Sequence, residues 1–204
     1  MVVRTIYNTL YGLARRKGLF GLNPPEHLQN KAAQIEGFTT AHKWEAQVGL
    51  TDLDVNVHMN NSSFFYCCEL ARWEWCGSSG LAGVALKKGF TFLVAGQAIR
   101  YRQSLLPFQR YVIESKVVAA DDRFLFVEQI MKKVKSPTVF ASVTVRATIR
   151  SKNGVVAPFQ LLDELGLVQE GQTKEDFFVT PEEHPACAAF VGWDNQIKQH
   201  EPKK

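Results

Sequence analysis

Residues 61–77 read NSSFFYCCELARWEWCG. They contain no proline and no glycine before Gly77, so nothing interrupts a helix until that point, where the helix is expected to close. Phe64, Cys68, Ala71 and Trp75 form one stripe at helical spacing, and Phe65, Cys67, Leu70 and Trp73 widen it to most of the circumference. A helix apolar nearly all round is a buried helix. Its polar strip is narrow, with Ser62, Glu69 and Arg72 as main members, and Glu69 and Arg72 stand three positions apart, where an ion pair is expected.

Strand patterns flank this helix on both sides. Upstream, Trp44, Ala46, Val48 and Leu50 alternate with Glu45, Gln47 and Gly49, the period of a half-buried strand. Downstream, four further strands are expected over Phe90–Tyr101, Tyr111–Ala119, Phe124–Lys132 and Val139–Ile149. Asp121-Asp122 and Lys135-Ser136-Pro137 supply turns between them. Joints this short predict antiparallel neighbours in chain order, a meander. A sheet must cover its apolar face, and the one buried helix is the available cover. The fold class is therefore α+β: a curved antiparallel sheet wrapped around one long buried helix. Past Asn153-Gly154 the periodicity weakens; Pro158–Leu167 and Pro181–Gln199 are expected as helices, with a frayed end. The chain divides into a basic N-terminal segment and linker (1–37), a central domain (38–157) and a helical C-terminal extension (158–204).

Composition sets the class of partner. With 46% hydrophobic and 22% charged residues, 14 Phe, 5 Tyr and 4 Trp in 204 residues, the chain can bury a core, and disorder is excluded. The net charge of +4 is local: residues 1–22 hold Arg4, Arg15, Arg16 and Lys17 and no acid, and the rest of the chain is formally neutral. A neutral domain without a basic stripe excludes a nucleic-acid partner. Val3, Ile6, Tyr7, Leu10 and Leu13 lie at helical spacing in that first segment. Basic, acid-free and amphipathic is the signature of a mitochondrial transit peptide, or of a helix on an anionic membrane surface. A plain N-terminal helix packed on its own domain, with a cytoplasmic protein behind it, fits the same residues. Four cysteines (Cys67, Cys68, Cys76, Cys187) match neither metal spacing nor a disulfide framework, and no metal or cofactor is expected.

Chemistry concentrates in TDLDVNVHMNN, residues 51–61, between a strand end and the start of the buried helix. Asn60 and Asn61 suit a helix N-cap. Free amides at a helix start can polarise a carbonyl, and a carboxylate beside them, such as Asp54, can act as base or nucleophile. A capped helix with a polar entry loop accounts for the same residues without chemistry.

This block, followed by Phe64 and then Glu69-Leu70-Ala71-Arg72, resembles the Asp-x-Asp-x-x-Gly-His-x-Asn-Asn-x-x-Tyr … Glu-x-Ala-Arg pattern of the 4-hydroxybenzoyl-CoA-thioesterase-like branch of the hot-dog superfamily. Phe92 to Phe108, FLVAGQAIRYRQSLLPF, then Asp121-Asp122-Arg123-Phe124 and Glu128, resemble the thioesterase superfamily member 6 group. The resemblance covers roughly residues 40–150. It implies a hydrolase of acyl-CoA or acyl-carrier-protein thioesters with no cofactor, working as a homodimer or higher homo-oligomer with its groove at the subunit interface. Carried onto this chain, Asp54 is the catalytic base or nucleophile, the carbonyl-polarising amide falls at Asn61, and His58, Asn60 and Phe64 shape the substrate loop. Two positions depart from the pattern: Val57 replaces the glycine before the histidine, and Phe64 replaces the tyrosine. The alternative is a hot-dog protein without catalysis, an acyl-binding or structural subunit of a larger mitochondrial assembly.

Overall fold

The computed structural model describes residues 2–26 and 35–200. Six strands form one antiparallel sheet: β1 (His42–Gln47), β2 (Thr91–Tyr101), β3 (Arg110–Ala120), β4 (Phe124–Lys133), β5 (Val139–Ser151) and β6 (Gly154–Val156). The order is β1-β3-β4-β5-β2, with β6 pairing the end of β5. This corrects the meander in one respect. β2 does not neighbour β3; it pairs with β5, from Thr91 opposite Arg150 to Tyr101 opposite Ala141. The connection 102–109 is a crossover rather than a hairpin, and Leu105 within it is fully buried. Its backbone is spent on other segments: Leu105 accepts from the Met59 amide and Phe108 donates to the Val48 carbonyl.

Among the described residues five α-helices accompany the sheet: α1 (Val2–Arg16), α2 (Asn61–Ser79), α3 (Leu81–Lys88), α4 (Pro158–Glu164) and α5 (Pro185–His200). α2 is the buried helix. Asn60 caps it, its Oδ1 accepting from the Ser62 amide at 2.8 Å. Phe64, Cys68, Ala71 and Trp75 enter the core with Ile113, Val127, Val143 and Val145 of the sheet. α2 runs past Gly77 and stops at Gly80, whose φ of 94° is the left-handed value a helix end needs. Gly77 serves another purpose: a Cβ there would lie 2.4 Å from the Thr9 carbonyl of α1. It is a contact glycine and not a terminator.

α5 covers the outer face of the sheet. Cys187 and Phe190 pack on Ala119 and Phe126, and Arg146 stacks over the Phe124 ring at 3.7 Å while pairing with Asp194. Residues 201–204, expected to fray, lie outside the described residues. No described helix is long and apolar enough to cross a membrane.

α1 docks on α2 with its small and polar face. Asn8 and Gly12 are its buried residues, and a Cβ on Gly12 would sit 2.1 Å from the Glu74 carbonyl. The arginines turn inward: Arg4 to Asp52, Arg15 to Glu36 and Glu74, and Arg16 to the Ser78 and Ser79 carbonyls at the α2 end, where a cation meets the negative end of the helix dipole. Val3, Ile6, Tyr7 and Leu10, read from sequence as the amphipathic stripe, remain exposed.

Candidate active site at the start of α2

The loop from Gly49 to Asn60 opens with a turn of 3-10 helix, Leu50–Asp52. The two acids of the motif play different parts. Asp52 is buried; its Oδ2 accepts from the Gly49 amide at 2.9 Å and its Oδ1 holds Arg4 at 3.2 Å. It is a structural anchor that ties α1 to the loop. Asp54 is half-buried. Its Oδ1 accepts from the amides of Asn56 (2.8 Å) and His58 (3.3 Å), which closes the turn, while its Oδ2 has no partner among the described residues. One oxygen positions the carboxylate and the other is left for substrate or water.

The backbone fixes this turn from both ends. The Asp54 amide donates to the His58 carbonyl, the Val57 amide to Asp54, and the Asn60 amide to Asp52, while Leu53 and Met59 form an isolated bridge. The turn places Val57 at φ 59°, the left-handed region that glycine enters freely and a β-branched residue does not. The motif's glycine therefore has a geometric reason here, and this chain meets the geometry at a cost of about 1–2 kcal/mol.

Asn60 is the helix cap and Asn61 the first helical residue. His58 contributes its backbone to the turn and has a half-buried side chain beside Asp54. Phe64 is only 2% exposed and packs edge-on against Tyr101, ring centroids 5.3 Å apart. Tyr101 was not singled out by sequence reasoning, yet its hydroxyl donates to the Asn61 carbonyl at 3.1 Å. β2 thus places a hydroxyl at the start of α2, next to the Phe64 ring. Only strand pairing reveals it, because 101 and 61 share no local pattern.

β2 runs antiparallel to α2. Tyr101 meets Asn61 and Phe64 at one end, and further along Gln97, Val94 and Phe92 face Arg72, Trp73 and Cys76 across a cavity of about 340 Å³. The expected Glu69–Arg72 ion pair is absent: Glu69 accepts from the Trp73 indole at 3.3 Å, and Arg72 turns into the sheet to donate to Gln129. Gln129 is fully buried and offers an acceptor that solvent does not compete for.

A second titratable cluster lies beneath α1. His42, fully buried, places Nδ1 2.7 Å from Glu36 and Nε2 2.6 Å from Glu74. Arg15 pairs with Glu36 at 2.9 Å and lies 3.6 Å from Glu74. Two cations thus balance two carboxylates. Burial opposes the imidazolium, but the hydrogen bonds and charges of Glu36 and Glu74 outweigh it and raise the His42 pKa above its ordinary value. The sequence alone does not reveal this cluster, because Glu74 lies 32 positions from His42. His42 and Glu74 are buried beneath α1, and Arg15 and Glu74 also border a groove there. The thiols offer no nucleophile: burial pushes Cys67 up to about 11 and Cys68 and Cys76 to about 12. Among the described residues no group of three or more acidic, histidine or cysteine side chains is placed to hold a metal.

A wrapped sheet, one central helix and a carboxylate loop at that helix's start define a class, the hot-dog fold. Residues 48–165, more than half of the chain, match the thioesterase-like superfamily, and the chain belongs to it. Its curated relatives include Protein THEM6 of Xenopus laevis, 32% identical over 107 residues (52% of each chain), and Protein THEM6 of Danio rerio, 31% identical over 83 residues (41% of each). The chain spans about half the length of these relatives. Among solved structures it is similar to a probable thioesterase from Escherichia coli, with a TM-score of 0.58 and 20% identity over 62% of this chain and 97% of that one. A 1,4-dihydroxy-2-naphthoyl-CoA thioesterase from Synechocystis follows, with a TM-score of 0.54 and 15% identity over 61% and 94%. A Staphylococcus aureus protein solved with CoA gives a TM-score of 0.57 and 14% identity over 69% and 89%. These likenesses carry the fold.

Proposed function

We propose that the chain hydrolyses an acyl-CoA or acyl-carrier-protein thioester, with Asp54 as base or nucleophile. The observation that carries this is the division of labour within one carboxylate: loop amides hold Oδ1 and leave Oδ2 unpartnered, beside the start of α2. In this reading the Asn61 amide polarises the thioester carbonyl. Either Asp54 Oδ2 attacks that carbonyl, the C–S bond breaks to release the thiolate and water then hydrolyses the acyl-aspartyl anhydride, or Oδ2 takes a proton from the attacking water and passes it to the sulfur as the C–S bond breaks. His58 and Asn60 shape the loop, and the acyl chain follows the gap between α2 and β2. β2 is an edge strand with Leu93 and Val94 exposed, so the proposal includes a homodimer in which a second copy covers this edge and completes the groove.

The test is hydrolysis of a panel of acyl-CoA thioesters by the wild-type chain and by Asp54→Asn. Turnover is expected to fall at least about a hundredfold in the variant while substrate still binds, the pattern for a group acting in the transition state. Equal turnover in the two proteins would remove the catalytic assignment.

One observation favours the second reading, a subunit of a larger assembly. The outward Val3, Ile6, Tyr7 and Leu10 of α1, continued by Phe20 at 91% exposure, give a partner or a membrane surface something apolar to meet. The mitochondrial address of residues 1–22 stays part of the proposal in a form that keeps α1, since removing it would strand Glu36, Glu74 and Asp52. A reporter fused to residues 1–25, with N-terminal sequencing of the mature chain, tests that.

A further inference from the structure

The cavity between α2 and β2 is apolar on most of its wall, through Trp73, Phe92, Val94 and Leu125, and polar at one spot. There Arg72 has donated to Gln129, and its other N–H groups have no partner among the described residues. Gln97 lines the same cavity with its Oε1 buried and without a hydrogen-bond partner there. Glu69, held by the Trp73 indole, is the carboxylate on this wall. Spare donors and an unmet acceptor on one mostly apolar wall favour an occupant that pairs with both.

We infer that this cavity is a slot for an aliphatic acyl chain bearing a hydroxyl group remote from the thioester, with Arg72 donating a hydrogen bond to that hydroxyl and Gln97 Oε1 accepting one from it. A hydroxyl is both donor and acceptor and satisfies both sides at once. A plain methyl end satisfies neither. A distal carboxylate gains Arg72 but faces two acceptors, Gln97 Oε1 and the Glu69 carboxylate. Position sets the chain type: about 16 Å of helix separates Asn61 from Arg72, more than an aromatic ring spans from a thioester held at the α2 start. That the occupant is the acyl part of a thioester rests on the reading of Asp54 above; binding of the free acid does not.

The test titrates the full chain with dodecanoate, ω-hydroxydodecanoate and dodecanedioate by calorimetry, with fluorescence of Trp73 and Trp75 as a second readout. The wild-type protein is expected to bind ω-hydroxydodecanoate at least about fivefold tighter than dodecanoate, and dodecanedioate weakest. Gln97→Leu removes only a group that makes no bond in the fold, so it keeps the core and is expected to bind dodecanoate and ω-hydroxydodecanoate equally. Parity in the wild type, a preference that survives Gln97→Leu, tighter binding of dodecanedioate, or no binding of any of the three overturns the inference. Hydrolysis by wild type and Asp54→Asn is read separately. A chain inert to thioesters that still selects the hydroxy acid keeps the slot and loses the hydrolase; an active one without the selectivity does the reverse.

Discussion

On its α1 side, α2 meets its neighbour through Gly77 against Thr9 and Gly12 against Glu74, at distances that admit no side chain. The charges there come in matched sets, His42 and Arg15 with Glu36 and Glu74. On its β2 side the same helix faces a cavity, an arginine without a carboxylate partner among the described residues, and an unmet glutamine oxygen. Both sides bury polar groups, so burial alone does not distinguish scaffold from site. Charge pairing does: the α1 side sets its charges against one another within the chain, although His42 Nε2 and both Glu74 oxygens lack an aligned hydrogen bond there, and the β2 side leaves Arg72 without a carboxylate.

The largest test of that contrast removes one member of the α1-side set. Glu74→Ala leaves a buried imidazolium and guanidinium short of a carboxylate, and chemical denaturation is expected to show a loss of about 3–5 kcal/mol. A loss under 1 kcal/mol would mean that the α1 side is held by packing alone. Gly12→Ala comes next. Its methyl group collides with the Glu74 carbonyl, and overpacking of this kind costs about 1–3 kcal/mol. Hydrogen exchange should show α1 opening while the sheet stays protected.

The pH dependence is a subtler probe of the same cluster. His42 carries a pKa raised above 6.5, so its contribution is complete below 6.5 and is lost as pH rises through the folded value. Glu36 is partly desolvated, but His42 and Arg15 hold its pKa below 4.5, so its contribution is complete above 4.5 and is lost as pH falls through its folded value. Denaturation midpoints should therefore be flat between about 4.5 and 6.5 and decline beyond, and His42→Gln should flatten the alkaline arm. The smallest expected effect belongs to the Asp54 loop. Val57→Gly relieves a left-handed β-branched residue but adds backbone freedom to the unfolded chain, a net gain of about 0.5–1 kcal/mol. A loss instead would show that the valine side chain supports the Asp54 turn.

Much of this was legible in the chain itself. The strands over 42–47, 91–101, 110–120, 124–133 and 139–151 and the long α2 follow from periodicity and propensity; β3, β4 and β5 alternate buried with less buried residues, while the edge strand β2 has none fully buried. Periodicity says nothing about which strand lies beside which, so β2 was placed next to β3 when the buried crossover around Leu105 carries it to β5. Gly77 and Gly80 look alike in sequence; only the approach of α1 explains why the helix passes one and ends at the other. At the site, the Asp54 loop and the Asn60 cap are local features and could be read locally. Tyr101, the His42 cluster and the separation of Glu69 from Arg72 depend on partners distant in the chain.

The docked posture of α1 decides what it presents. Arg4, Arg15 and Arg16 are each engaged by the folded domain, while Val3, Ile6, Tyr7 and Leu10 face outward. Anything that meets the folded α1 therefore meets grease where its sequence advertises charge.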